Sequence, residues 1–141
     1  MILGFPKEIL DNETRVAVIP ATVKQYIDSG LIVKVESGAG LKSQISDSDY
    51  SDVGAEIVDS ALNLFSSSDM ILKVNSPNGN EIEMMKNGSS YISFFQTMKE
   101  TDKVIALQKK KYHSLFNASY SKDNISTENG CIKLSNKHFR I

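Results

Sequence analysis

A single arginine, Arg15, lies in the polar segment between two apolar runs near the start of the chain. The first run is Ile2–Phe5, which ends before Pro6, and the second is 16–19, which ends before Pro20. A guanidinium group can bind a carboxylate through two parallel hydrogen bonds. Arg15 is therefore a candidate for binding an anion or for orienting a cleft. The alternative is an ion pair within the loop or between domains.

Two further polar residues follow apolar runs in a way that suggests a shared edge of a sheet. Lys73 lies near the end of the apolar run 70–74, and Gln96 comes directly after the run 91–95. The carboxyl ends of parallel strands face the binding crevice in α/β sheets. Lys73 and Gln96 are therefore weak candidates for facing a cleft together with Arg15. The alternatives are a snorkelling lysine and a solvated loop residue.

Other patterns give no site. The segment 37–40, Ser-Gly-Ala-Gly, follows an apolar run, but no strong helix begins after it, so a tight turn is expected rather than a phosphate site. His113, Cys131 and His138 lack the spacing of zinc ligands, so no metal site is predicted. We also predict no catalytic residue.

The composition indicates one soluble globular domain. The chain has 141 residues, of which 40% are hydrophobic and 23% charged, and its net charge of -1 gives no electrostatic case for nucleic acid. Its one cysteine excludes an internal disulfide and fits a reducing compartment. No apolar run approaches the roughly 18 residues of a membrane span, and the early charges at Lys7 and Glu8 argue against a signal peptide.

Strand-like and helix-like segments alternate along the chain. This order predicts an α/β domain of three layers, with a mainly parallel sheet and helices on both faces. We expect strands at 2–5, 31–35, 55–58, 70–74 and 91–95, and helices at 20–29, 46–53, 59–65, 81–85 and 99–110. Pro20, Ser46 and Asp59 are the expected helix starts. Residues 112–141 lack a sustained period and predict an irregular, poorly ordered C-terminal tail.

Several blocks, matched in order and spacing over roughly residues 1–110, resemble the alanine dehydrogenase and proton-translocating NAD(P) transhydrogenase alpha-subunit family. The blocks are Gly4, Pro6-Lys7-Glu8, Asn12-Glu13, Arg15-Val16-Ala17, Pro20, Val35 to Gly40, Gly54 to Val58 and Ile71 to Val74. The resemblance implies two Rossmann-like domains per intact chain, with NAD(H) in the cleft between them. The sequence here covers the first, 1–111, and it contains no GxGxxG phosphate loop.

The two branches of this family differ after the strand at 91–95. Alanine dehydrogenases have a catalytic histidine there, and they use the residues matching Arg15 and Lys73 to hold the substrate carboxylate. In this chain the neighbourhood is Ser93-Phe94-Phe95-Gln96, which is similar to the transhydrogenase alpha subunit. The resemblance therefore favours that branch. In it, hydride passes directly between two nicotinamides, so the carboxylate-binding role does not transfer.

The family segment expected after the lysine run 109–111 is absent from 112–141 as written, but a shifted reading frame permits it. From Tyr112 onward, the allowed codons in that frame include Ile-Thr-Val-Tyr-Ser-Met-His-Leu-Ile-Pro-Arg-Ile-Thr and, one position later, Ala-Gln-Lys-Met-Asp-Ala-Leu-Ser-Ser. Adenine-rich lysine codons are a place where one nucleotide is easily gained or lost. We therefore expect that a frameshift near Lys111 truncates the chain and leaves 112–141 as an out-of-frame tail.

The resemblance implies an N-terminal fragment of a transhydrogenase alpha subunit, whose family couples hydride transfer between NAD(H) and NADP(H) to proton translocation. The fragment is expected to be inactive and to bind neither cofactor tightly. Implied partners are the rest of the alpha subunit, the beta subunit and a second copy in the intact family. The implied location is cytoplasmic, or peripheral on the cytoplasmic face of the inner membrane. The alternatives are an alanine dehydrogenase-like fragment and a stand-alone anion-binding or scaffold domain.

Overall fold

The computed structural model describes residues 1–95, 101–109, 113–118, 125–128 and 131–134. Strands alternate with helices along most of the described chain. The strands are β1 Ile2–Phe5, β2 Ile32–Glu36, β3 Glu56–Val58, β4 Met70–Asn75, β5 Ser90–Phe95, β6 His113–Ala118, β7 Ile125–Glu128 and β8 Cys131–Leu134. The helices are α1 Pro20–Asp28, α2 Asp47–Ser51, α3 Ala61–Ser67, α4 Gly79–Met84 and α5 Thr101–Lys109.

Six strands form one sheet in the order β3-β2-β1-β4-β5-β6, and every neighbouring pair is parallel. The chain leaves β1 towards β2 on one side and leaves β4 towards β5 on the other. Such a change of direction opens a crevice outside the carboxyl ends of the two central strands. β7 and β8 form a separate antiparallel pair.

Two hydrophobic clusters lie on opposite faces of this sheet. Alternate β4 residues show this, because Ile71 belongs to the cluster of Leu64, Ile82 and Leu107, whereas Leu72 packs on the other one. The second cluster joins residues of β1 and β2 to α1 and α2. The predicted parallel sheet with helices on both faces is therefore confirmed.

Most element starts follow from local sequence. Pro20 occupies the first turn of α1, and Ser46 caps α2 in a reciprocal capping box with Asp49. The predicted cap of α3, Asp59, is wrong by one position, because the Ser60 side chain accepts from the Asn63 N–H. A short 3₁₀ helix, Leu41–Ser43, was not predicted.

In its described ranges, 113–118, 125–128 and 131–134, the C-terminal segment forms strands rather than the irregular tail expected for 112–141. β6 adds a sixth parallel strand on β5, and β7 and β8 pair with each other. An exposed strand edge presents unpaired N–H and C=O groups that can order a neighbouring segment through backbone hydrogen bonds alone. Side-chain periodicity does not report that backbone pairing.

Candidate functional site

The polar side chains of the site gather at the crevice between the carboxyl ends of β1 and β4. The loop that follows β1 brings Glu8, Glu13 and Arg15 there, and the last residues of β4 bring Lys73 and Asn75. Hydrogen bonds join these two segments although they lie more than 60 positions apart in sequence. The site therefore depends on the parallel pairing of β1 with β4.

Lys73 is enclosed by carboxylates. Its side chain is 0% exposed, and its Nζ lies 2.6 Å from Glu81 Oε1 and 3.9 Å from Glu8 Oε2. Lys73 shares the β4 face of Ile71, which is the face covered by α4, so its side chain points towards Glu81. A buried ammonium group needs such partners, because leaving it unpaired away from water is costly.

Glu8 ties the loop after β1 to the end of β4. Its Oε1 accepts a hydrogen bond from the backbone N–H of Val74 at 2.6 Å. Its Oε2 accepts from the side-chain amide of Asn75 at 3.1 Å and from the Asn75 backbone N–H at 3.4 Å. The Glu8 carboxylate thus accepts the hydrogen bonds of the backbone N–H groups at the end of β4.

Glu81 combines a helix cap with an ion pair. Its Oε2 accepts from the Asn78 backbone N–H at 2.8 Å, while Asn78 Oδ1 accepts from the Glu81 N–H at 2.8 Å. This reciprocal pair is the capping box of α4. The other oxygen, Oε1, accepts from Lys73. The start of α4 and the position of Lys73 are therefore fixed by one carboxylate.

Arg15 lies at the outer end of the same network. Its Nε donates to Glu13 Oε1 at 2.8 Å and its Nη2 donates to Glu13 Oε2 at 2.7 Å. Glu13 Oε2 also accepts from Asn75 Nδ2 at 2.9 Å. The hydrogen bonds from Arg15, followed by that from Asn75, lower the pKa of Glu13 to about 2. The Arg15 side chain is 66% exposed, whereas that of Glu13 is 10% exposed.

The site carries a slight excess of negative charge, because three carboxylates surround two cations. The carboxylates are Glu8, Glu13 and Glu81, and the cations are Arg15 and Lys73. Each cation is already paired with a carboxylate of the chain. Of the two, only Arg15 extends to solvent, so it is the one able to reach a ligand.

The predicted candidates are thus brought together in part. Arg15 and Lys73 belong to one hydrogen-bonded network, whereas Gln96 lies outside the described residues. The tight turn expected at 37–40 is present, with Gly38 at φ +74°. Its Ser37 hydroxyl and Gly38 N–H both donate to the carboxylate of Asp47, so these donors join the turn to the start of α2.

Four residues of the site were not predicted from the sequence, namely Glu8, Glu13, Asn75 and Glu81. Their partners are distant in sequence, so no local pattern reports them. The spacing of Asn78 and Glu81 is the exception, because it is the spacing of a capping box and signals the start of α4.

The described ranges contain no group of three or more histidine, cysteine, aspartate or glutamate side chains that could hold a metal ion. Nor does any described helix combine the length and the apolar character that crossing a membrane requires. His138 lies outside the described residues.

Known proteins are similar to this chain in both sequence and fold. An alanine dehydrogenase from Methanococcus maripaludis is 40% identical over 111 residues, which is 79% of this chain and 30% of that protein. The NAD(P) transhydrogenase subunit alpha of Haemophilus influenzae is 40% identical over 115 residues, which is 82% of this chain and 22% of that protein.

Two solved structures have the same fold. A transhydrogenase from Sinorhizobium meliloti superposes with a TM-score of 0.79 and 31% identity, over 82% of this chain and 34% of that one. An L-alanine dehydrogenase superposes with a TM-score of 0.78 and 28% identity, over 82% of this chain and 32% of that one. The chain thus spans about a third or less of the length of these relatives. The family model described as "Alanine dehydrogenase/PNT, N-terminal domain" matches residues 4–117, so the chain belongs to that family.

Proposed function

We propose that this chain supplies the first domain of an NAD(P) transhydrogenase alpha subunit and forms one wall of a nucleotide cleft. In that role it helps to orient NAD(H) for hydride transfer to NADP(H), a transfer that the whole enzyme couples to proton translocation. The nicotinamide cofactors supply the hydride chemistry, and the protein supplies binding and orientation. The domain alone is expected to be inactive and to bind neither cofactor tightly.

The observation that carries the choice of branch is the glutamine at position 96. The family resemblance places the catalytic histidine of alanine dehydrogenases after the strand that corresponds to β5, and this chain has Gln96 there. Without that histidine, proton transfer to or from an amino-acid substrate lacks its general acid–base group. Direct hydride transfer between two nicotinamides needs no such group. The similarity of sequence and fold to both branches does not by itself separate them.

A pair of chimeras tests this proposal. Residues 1–111 would replace the matching segment of the Haemophilus influenzae alpha subunit and, separately, of the Methanococcus maripaludis alanine dehydrogenase. We expect the first chimera, assembled with its membrane subunit, to reduce an NAD analogue with NADPH. We expect the second to oxidise alanine only after Gln96→His. An inactive first chimera beside a second that is active without that substitution would contradict the proposal.

We further propose that partners complete the domain. They are the remainder of the alpha subunit, the beta subunit and, in the assembled enzyme, a second copy of the chain at the cytoplasmic face of the inner membrane. The name of the Haemophilus influenzae relative, a subunit alpha, supports partner subunits. Co-purification of the chain, with Arg15 and Lys73 unchanged, on a tagged beta subunit tests this. We expect the chain to be retained when the remainder of the alpha subunit is also present.

We also propose that residues 112–141 are translated out of frame after the lysine run. The permitted reading of the shifted frame supports this proposal, whereas the family match extends over 112–117 and ends there. The nucleotide sequence is the test. Codons of 112–141 that encode the Pro-Arg and Ala-Gln segments in the shifted frame support the proposal, and codons that do not encode them overturn it.

The second candidate is a stand-alone anion-binding or scaffold domain. The exposure of Arg15 at the crevice favours it, because an accessible guanidinium can bind an anion without a second domain. Titration with NADH separates the candidates. Weak or absent binding supports a domain that needs a partner, whereas saturable tight binding by the chain alone contradicts the fragment proposal.

A further inference from the structure

The segment 9–15, which borders the crevice, joins two buried residues but lies itself at the surface. Glu8 before it and Val18 after it are both buried. Between them, the side chains of Ile9 and Leu10 are at least half exposed, and neither belongs to a hydrophobic cluster of the described chain. The apolar core therefore does not hold the segment 9–15 in place.

Polar contacts from a neighbouring loop hold the outer side of this segment. Lys42 Nζ donates to Leu10 O at 3.1 Å and to Asp11 O at 3.3 Å. The same Leu10 carbonyl accepts from the Glu13 N–H at 3.1 Å. Lys42 thus binds the carbonyl that closes the turn on which Glu13 lies.

The loop that supplies these donors is fixed by close packing. Ser43, on the same short 3₁₀ helix as Lys42, donates its Oγ to Thr14 O at 2.5 Å. Gly40, directly before that helix, leaves no room for a β-carbon, which would lie 2.7 Å from Ile45 O. If the contacts between the two loops break, the segment 9–15 is therefore the part that moves.

One contact joins the inner side of the segment to the opposite wall of the crevice. Glu13 Oε2 accepts from Asn75 Nδ2 at 2.9 Å, at the end of β4. A segment held by a few exposed hydrogen bonds, without buried apolar contacts, opens at a lower free energy than the core. Such an opening would separate Glu13 from Asn75.

We propose that the segment 9–15 is a gate of the β1–β4 crevice, which opens independently of the sheet, and that Lys42 and Ser43 are its latch. The strength of the latch then sets how often this edge of the crevice is open to a ligand. The proposal deepens the function proposed above and rests on it, because it takes this crevice as the ligand site of the domain.

Hydrogen exchange of the folded full chain, followed by NMR at a series of urea concentrations, tests for separate opening. The Glu13 N–H reports on the gate, because it is bonded to the carbonyl that Lys42 binds. We expect its exchange to change little with urea, since local opening exposes little surface, and exchange of the β2 amides to depend steeply on urea. Equal urea dependence at Glu13 and in β2 would overturn the proposal.

Lys42→Met tests the latch, because it keeps most of the side chain and removes the donors. Exchange at the Glu13 N–H should become about fivefold faster, which corresponds to the loss of one hydrogen bond, and exchange in β2 should not change. The Asn75 side-chain amide resonance should also move in the same direction as in Glu13→Ala, because both substitutions separate these two groups.

The matched control is Lys24→Met, which removes the ammonium of an exposed pair with Asp28 on α1. It should leave exchange at Glu13 unchanged. Three results would overturn the proposal: unchanged exchange at Glu13 in Lys42→Met, equal acceleration in β2, or an equal effect of Lys24→Met. These measurements follow motion in the chain alone, so the activities of the chimeras would decide the proposed function without deciding whether the gate opens.

Discussion

Lys73 illustrates at the scale of the residue how a cation can be essential to the fold of a site without being open to a ligand. Its ammonium is fully buried and lies 2.6 Å from Glu81. We expect Glu81→Gln to lower the free energy of unfolding by about 3 kcal/mol, because breaking a buried pair leaves a charge uncompensated. Urea unfolding measures this difference.

Asp28→Asn is the matched control for that substitution, because both partners of its ion pair are mostly exposed. It should change the free energy of unfolding by less than about 1 kcal/mol. Equal effects of the two substitutions would show that the Lys73 pair behaves like a surface pair.

The Glu13 carboxylate predicts a pH dependence of stability. Hydrogen bonds from Arg15 and then Asn75 lower its pKa from 4.5 to about 2 in the folded chain. The native state therefore binds this proton less readily than the unfolded state. The stabilisation is fully present above pH 4.5 and is lost as the pH falls towards 2.

We expect Glu13→Gln to lose this dependence. The difference in stability between wild type and variant should be constant above about pH 5 and should shrink between pH 4.5 and 2, as followed by urea unfolding at a series of pH values. A difference that stays constant through that window would contradict the lowered pKa.

At the scale of the element, β1 depends on the absence of a side chain at Gly4. A β-carbon built there would lie 2.8 Å from Ile71 Cδ1 and would also contact Ser68, which follows α3. We expect Gly4→Ala to destabilise the protein by about 1–3 kcal/mol through overpacking. Thermal unfolding gives the measurement.

Gly79→Ala provides the contrasting substitution. Gly79 is the first residue of α4, and nothing lies within 4 Å of a β-carbon built there. Alanine should stabilise by up to about 1 kcal/mol, because it restricts the unfolded chain. A Gly4→Ala variant that is as stable as the wild type would argue against the close contact between β1 and the end of α3.

Several elements were predictable because their signals are local. The capping box of Ser46 and Asp49 and the proline at the start of α1 lie within one turn of the helices that they begin. Asp59 and Ser60 are both good caps, and only the hydrogen bond to Asn63 chooses between them. β6 was not predicted because its pairing with β5 depends on a neighbour distant in sequence.

At the scale of the whole molecule, apolar side chains remain exposed beside the crevice. Ile9, Leu10 and Leu41 are each at least half exposed, and Lys42 Nζ donates to Leu10 O, which ties the two loops together. We expect the chain to self-associate with increasing concentration through this patch. Sedimentation velocity at two concentrations measures the association.

The double substitution Leu10→Ser and Leu41→Ser should reduce that association. Leu62→Ser is the control, because Leu62 is equally exposed but lies on α3. A wild type that stays monomeric at both concentrations, or a control that matches the double variant, would contradict the prediction.

The sequence by itself determined the parallel α/β architecture, the family, and Arg15 and Lys73 as candidate residues. These follow from alternating apolar runs, from local caps and from blocks of residues in a fixed order, all of which are properties of contiguous sequence. Only the tertiary structure decided what those two cations contact. Lys73 meets Glu8, and Asn75 meets Glu13, because β1 pairs beside β4 across more than 60 intervening positions. The free energy of burying a charge depends on such distant partners. Lys73 is therefore buried in an ion pair, whereas Arg15 remains exposed at the crevice.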